Sequence, residues 1–154
     1  MNAEPRLKLT VQYALDKTGL PGRAELRRWA RAALMQGAEV TLRLVDEAEG
    51  RQLNRDYRGK AYATNVLTFA YGADEAGLHA GDIVLCAPVA AREAAEQGKA
   101  LEAHYAHMVV HGMLHLQGYD HEAEAEAVTM EAVESFIMRR LGFPDPYAHH
   151  ERRQ

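Results

Sequence analysis

Hydrophobic and polar positions alternate at Leu7, Leu9 and Val11, and again at Val40, Leu42 and Leu44, the two-residue period of strands with one buried face. Between them, Leu26, Trp29, Ala30, Ala33 and Leu34 recur at helical spacing behind Pro21, with Arg23, Arg27 and Arg31 on a neighbouring stripe. Asp46 and Glu49 form a capping-box pattern for a second helix that runs to Tyr57 or Arg58 and stops at Gly59. The runs ATNVLTFAY and GDIVLCA are β-branched and apolar, and predict strands near 64–70 and 82–87 joined by the loop GADEAGLHAG. Helical periodicity follows from Pro88 to Gln97 and from Ala100 to Gln117, with Gly98 as the break. A last helix carries Ala127, Met130, Val133, Ile137 and Leu141 on one stripe, with Asp120 as a candidate cap and Gly142 and Pro144 at its end.

The segment from Ala100 to Gln117 is apolar nearly all round, the pattern of a buried central helix, and it carries the chemistry. Its end reads HGMLHLQGYDH from His111 to His121. Residues four apart on a helix share a face about 6 Å apart along the axis, so His111 and His115 can direct imidazoles at one atom. Gly118 lets the helix stop and the chain turn, bringing His121 to where a third ligand would sit. Three neutral nitrogen donors would leave a tetrahedral zinc one position open to water or substrate. His107 and His111 are also spaced by four, so a different ligand choice stays open on spacing alone, although no turn near His107 converges a third group. The alternative account of any one histidine is an ordinary core or surface residue with a satisfied hydrogen bond. The run also overlaps the metzincin protease pattern at its three histidines and its glycine, but Gly112 stands where that chemistry needs a glutamate base. Uncharged ligands leave the full charge of the cation for an anionic oxygen, which favours a phosphodiester over a peptide.

Length and composition bound the answer without deciding it. At 154 residues and 47% hydrophobic, the chain suits one globular domain, read as 1–143, with a polar C-terminal tail over 144–154 that ends in His149, His150 and basic residues. That tail reads as a mobile terminus rather than a further metal site. The lone Cys86 excludes an internal disulfide and a C-x-x-C pair, and its apolar surroundings suggest a buried strand position. Neither a signal peptide nor an apolar run of about 18 residues is evident, so no membrane partner and a cytoplasmic location are expected. A net charge of −4 argues against gripping nucleic acid along the whole surface. Contact with RNA would have to be local. Arg51, Arg55, Arg58 and Lys60 offer such a basic corner. Arginine suits two-pronged recognition of phosphate, but the helix dipole also favours a cation at a helix end, and spacing does not separate the two.

With HGMLHLQGYDH preceded in order by NRDYRGKAYATNVLTF and GDIVLCAPVA, the chain resembles the YbeY family of bacterial endoribonucleases over nearly its whole length. The resemblance implies a single-domain α+β fold, a small mixed four-stranded sheet packed with helices and a metal site at the end of a central helix. It implies a zinc-dependent, single-strand endoribonuclease that matures small-subunit (16S) ribosomal RNA, especially its 3′ end, and serves ribosome quality control. His111, His115 and His121 would be the ligands of one Zn2+, and Arg58 of the Y-R-G segment would handle the phosphate. An imidazole trio also suits other divalent transition metals. Ribosomal RNA is the expected partner, with ribosomal proteins or other assembly factors beside it. Ala63 and Thr68 depart from residues common in the family, at positions that do not touch the expected metal. Asp120 is equally a helix cap or an orienting partner for a ligand imidazole. Two rivals remain: a metal-dependent hydrolase of peptides or small molecules, and a non-catalytic ribosome-assembly factor in which the metal only stabilises the fold.

Overall fold

The computed structural model describes residues 5–120 and 122–148. Within them the elements run β1 (Leu7–Tyr13), α1 (Arg23–Ala32), β2 (Ala38–Val45), α2 (Glu47–Arg58), β3 (Val66–Ala73), β4 (His79–Cys86), α3 (Ala87–Gln97), α4 (Leu101–Leu116) and α5 (Glu124–Arg140). The strands form one mixed sheet in the order β1-β2-β4-β3, and the expected α+β fold is what the chain adopts. β1 and β4 each pair parallel to β2, while β3 pairs antiparallel to β4. Parallel neighbours need a crossover, which α1 supplies between β1 and β2; the antiparallel pair needs only a short turn.

The two sheet faces are unequal. Val40, Leu42 and Leu44 of β2 and Ile83 and Leu85 of β4 join residues of α1, α4 and α5 in the main core, which includes the fully buried Trp29. The opposite face holds a smaller cluster of Val45, Leu67, Val84, Cys86 and Val89, with Leu53 of α2 and Phe69 packed on it. Period-two alternation makes this division unavoidable, because neighbouring residues of β4 must face opposite layers. Cys86 is the buried strand residue its context suggested, and burial pushes its thiol pKa up.

Several sequence expectations need correction. Half of the predicted loop GADEAGLHAG is ladder: β3 extends to Ala73 and β4 begins at His79, leaving 74–78 as the turn. Alanine and glycine carry little strand signal of their own, and pairing with a neighbour overrides it. Asp74 closes the turn, its Oδ1 accepting from the backbone N–H groups of Ala76 and Leu78 at 3.0 and 2.8 Å. Nor does Asp120 cap the last helix. The N-cap of α5 is Ala123, and Asp120 Oδ1 instead accepts from the Glu122 N–H at 3.3 Å. By contrast, Asp46 caps α2 as its pattern suggests, accepting from the Glu49 N–H at 2.9 Å. The Glu49 side chain pairs with Arg43 rather than closing the box.

Residues 145–148, grouped by sequence with the polar tail, fold back on α5. Asp145 Oδ1 accepts from the Ser135 hydroxyl at 2.7 Å and from the Tyr147 N–H at 2.9 Å. His149 and His150 lie outside the described residues. No helix among the described residues is long and apolar enough to cross a membrane.

Candidate active site

Helix α4 is buried on most sides, with Tyr105, Ala106, Met108, Val109, Val110, Met113, Leu114 and Leu116 in the core. Its exceptions include His111 and His115, which are half-buried one turn apart. The helix ends as its glycine foretells. Gly118 takes φ 107°, the Gly118 N–H donates to the His115 carbonyl at 3.1 Å, and the Tyr119 N–H reaches the Leu114 carbonyl at 3.0 Å. This is a Schellman cap, and it aims the Tyr119 carbonyl back at the helix. His115 Nδ1 donates to that carbonyl at 3.1 Å. The cap that stops the helix therefore also sets the tautomer of His115, with the lone pair on Nε2. The structure thus brings two of the three predicted ligands onto one helix face. The third, His121, lies outside the described residues.

His111 is held differently, by a residue that sequence reasoning missed. Its Nδ1 donates to Glu134 Oε2 at 3.2 Å, and the same oxygen accepts from His107 Nε2 at 2.6 Å. Glu134 Oε1 accepts from the Tyr147 hydroxyl at 3.0 Å. The carboxylate is 1% exposed. Burial by itself would push its pKa up, but the hydrogen bonds it accepts from His107 and His111 outweigh that and hold it at about 2. Burial and the Glu134 charge raise the Tyr147 phenol. His107 therefore belongs to this carboxylate, which disfavours it as an alternative ligand through Nε2. A signal for Glu134 was present in the sequence. It falls on the buried stripe Met130, Ile137 and Met138, where an unpaired carboxylate would be costly, so a partner had to exist.

Arg58 ends α2 and is exposed, as are Arg55 and Lys60. The neighbouring Tyr57 ring packs edge-on against Phe69 of β3 at 4.9 Å between centroids. Phe69 pairs with Asp82, one residue along from the Ala70–Gly81 pair. On the other face Gly81 is in close contact with Leu116, the residue after His115. The end of α2 and the last turn of α4 thus meet the edge strand β3 at the same height from opposite sides. Tyr57, Tyr62 and Tyr71 stand 67%, 59% and 66% exposed around that edge, enough to leave an aromatic face for a ligand. Tyr71 sits at a bulge between Ala70 and Gly72, and its hydroxyl donates to Asp82 Oδ2 at 2.7 Å.

The approach to β3 is tied down from inside. Buried Asn54 donates through Nδ2 to the Tyr62 carbonyl at 2.6 Å. Asn65 Nδ2 donates to Glu93 Oε1 at 2.8 Å, and His104 Nε2 donates to that same oxygen at 2.9 Å. These contacts tie the loop between α2 and β3 to α2 through Tyr62 and to α3 and α4 through Asn65.

Comparison with known proteins bears on the chemistry. The sequence model of the family described as Endoribonuclease YbeY matches residues 22–142. The chain belongs to that family. A protein named Endoribonuclease YbeY from Methylobacillus flagellatus is 59% identical over 150 residues, covering 97% of this chain and 99% of its own length. One of the same name from Aromatoleum aromaticum is 63% identical over 149 residues, covering 95% and 96%. The solution structure of TM1509 from Thermotoga maritima superposes with a TM-score of 0.56 at 24% identity, covering 86% of this chain and 91% of that one, and speaks to the fold alone. As a YbeY-family chain this protein is an endoribonuclease, a hydrolase acting on RNA. The peptidase rival also meets a steric objection. A Cβ at Gly112 would lie 3.1 Å from two Ile83 carbons, so this position faces the sheet, and a glutamate there would be forced into the core.

Proposed function

We propose that the chain is a zinc-dependent, single-strand-specific endoribonuclease that acts in the cytoplasm on small-subunit ribosomal RNA, especially its 3′ end, in maturation and quality control. In this reading His111, His115 and His121 hold one divalent cation, and Arg58 handles the scissile phosphate. The observation that carries it is the pair of Nδ1 hydrogen bonds, His111 to Glu134 and His115 to the Tyr119 carbonyl. Both acceptors lack a proton to give, so both rings keep the Nδ1–H tautomer and carry the donor lone pair on Nε2, the arrangement of metal-binding histidines. The donor set therefore fits the cation. When bound, such a cation would supply Lewis acidity at a phosphate oxygen and lower the pKa of a coordinated water.

The remaining chemistry belongs to the chain. Arg58, at the end of α2 beside Arg55 and Lys60, offers a planar donor to the negative charge that grows on the phosphate as the bond breaks. The exposed tyrosines at the edge of β3 suit unpaired bases, whose π-faces are open to stacking only outside a duplex. Ribosomal RNA and assembly proteins are the partners this implies, because a chain of net charge −4 gains little from diffuse attraction to RNA. The test is metal analysis together with cleavage of single-stranded and duplex RNA by wild type, His115→Ala and Arg58→Glu. We expect His115→Ala to lose zinc and cleavage, and Arg58→Glu to keep zinc while losing cleavage. Undiminished cleavage by Arg58→Glu removes that residue from the mechanism. A zinc-loaded wild type that binds RNA without cutting it points to the docking role instead.

A further inference from the structure

The two described histidines of the site are secured in unequal ways. His115 leans on a backbone carbonyl, which no substitution at Tyr119 removes, whereas His111 leans on one side chain, Glu134. That side chain is a carboxyl group, 1% exposed, on the apolar stripe of α5. Burying such a polar group is costly before its partners are counted, and a well-packed apolar residue usually serves stability as well or better. The partners come from two separate places: His107 and His111 of α4 at 2.6 and 3.2 Å on Oε2, and Tyr147 of the C-terminal turn at 3.0 Å on Oε1. Tyr147 is brought there by the Asp145 turn, so the fold spends a whole terminal segment on the second carboxylate oxygen.

We propose that Glu134 is the positioning residue of the candidate metal centre: its Oε2 keeps His111 in the Nδ1–H tautomer and fixes the ring, so that Nε2 is the atom offered to a divalent cation. The proposal rests on reading His111 as a ligand. Tyr147 clamps Oε1 and prevents the carboxylate from rotating away, and His107 shares Oε2 and limits its movement along α4. A free imidazole interconverts its tautomers, and each excursion to Nε2–H removes the donor lone pair. Glu134 suppresses that excursion before any cation arrives.

The full-length chain is titrated with Zn2+ against a competing chelator, as wild type, Glu134→Gln, Tyr147→Phe and His115→Ala. Histidine ring nitrogens of the metal-free proteins are followed in parallel by 15N NMR. Glu134→Gln should bind Zn2+ about 10- to 100-fold more weakly, the usual effect of losing a partner of a ligand histidine. Its His111 should shift towards the Nε2–H tautomer while His115 stays Nδ1–H. Tyr147→Phe keeps the carboxylate and should move both readouts the same way by a smaller amount, which preserves the test if Glu134→Gln does not fold. A merely structural Glu134 would lower the melting temperature and leave tautomer and affinity of the folded protein unchanged. That result overturns the proposal while His115→Ala still loses zinc. If His115→Ala binds zinc as tightly as wild type, the metal reading falls and takes the role of Glu134 with it.

Discussion

Replacing Gln117 by leucine should destabilise the protein by more than any change of side-chain volume explains. Gln117 follows α4 directly, is 7% exposed, and uses all its hydrogen-bonding capacity. Its Oε1 accepts from the Met35 and Gln36 N–H groups at 2.7 and 3.0 Å, and its Nε2 donates to the Ala33 and Met113 carbonyls at 2.8 Å each. It therefore ties the end of α1 to the end of α4, two residues from His115. In Gln117→Leu the Met113 carbonyl keeps the Gln117 backbone N–H at 3.2 Å, so three groups lose a partner. Met35 and Gln36 are exposed residues whose N–H groups water can reach, so each loses about 0.5–1 kcal/mol; the carbonyl of buried Ala33 loses about 1–3 kcal/mol. The sum is about 2–5 kcal/mol. At about 2–4 °C per kcal/mol for a domain of this size, the melting temperature should fall by about 4–20 °C.

Gln117→Glu sharpens the test. It keeps the acceptor that serves the Met35 and Gln36 N–H groups but sets a carboxylate oxygen against two carbonyls, which raises its folded-state pKa above the unfolded value. A carboxyl so raised stabilises the fold at low pH and loses that contribution as pH rises through the folded pKa. Relative to wild type, Gln117→Glu should therefore be nearly as stable in mild acid and weakest above neutrality. Thermal unfolding of metal-free protein, followed by circular dichroism across pH, checks both variants. A Gln117→Leu melt within a degree or so of wild type, or a Gln117→Glu deficit that does not change with pH, refutes the clamp.

Two smaller experiments address the edge strand and the helix beside it. The hydrogen bond to Asp82 and the neighbouring burial raise the Tyr71 pKa to about 12, so the contact stabilises the fold below the unfolded value near 10 and is lost as pH rises through about 12. Asp82→Asn removes the opposing charge, and NMR titration of the Tyr71 ring carbon should find the pKa closer to 10; an unmoved value would assign the shift to burial alone. Gly112→Glu drives a side chain into Ile83 and should cost at least about 1–3 kcal/mol without creating peptidase activity. A wild-type melt for that variant would mean that position 112 does not face the sheet.

The sequence alone determined whatever depends on one or two turns of chain. The i, i+4 histidines, the stop at Gly118 and the Asp46 cap are short-range features, and the described structure places each where periodicity and residue type put it. Alternation also located β1 and β2, and β-branched, apolar composition located the cores of β3 and β4, while the division of β4 between its two faces came from the structure. Tertiary structure decided the rest, because a hydrogen-bond partner distant along the chain leaves no periodic trace. Glu134 lies 23 residues from His111 and 13 from Tyr147, and its stripe announces only that a partner exists, never which one. The same holds for Gln117, whose acceptor serves N–H groups 81 and 82 residues away, and for the antiparallel extension of β3 and β4 through alanine and glycine. Local chain geometry could present two imidazoles on one face; choosing which nitrogen of His111 carries the lone pair required another helix and a terminal turn folded against them.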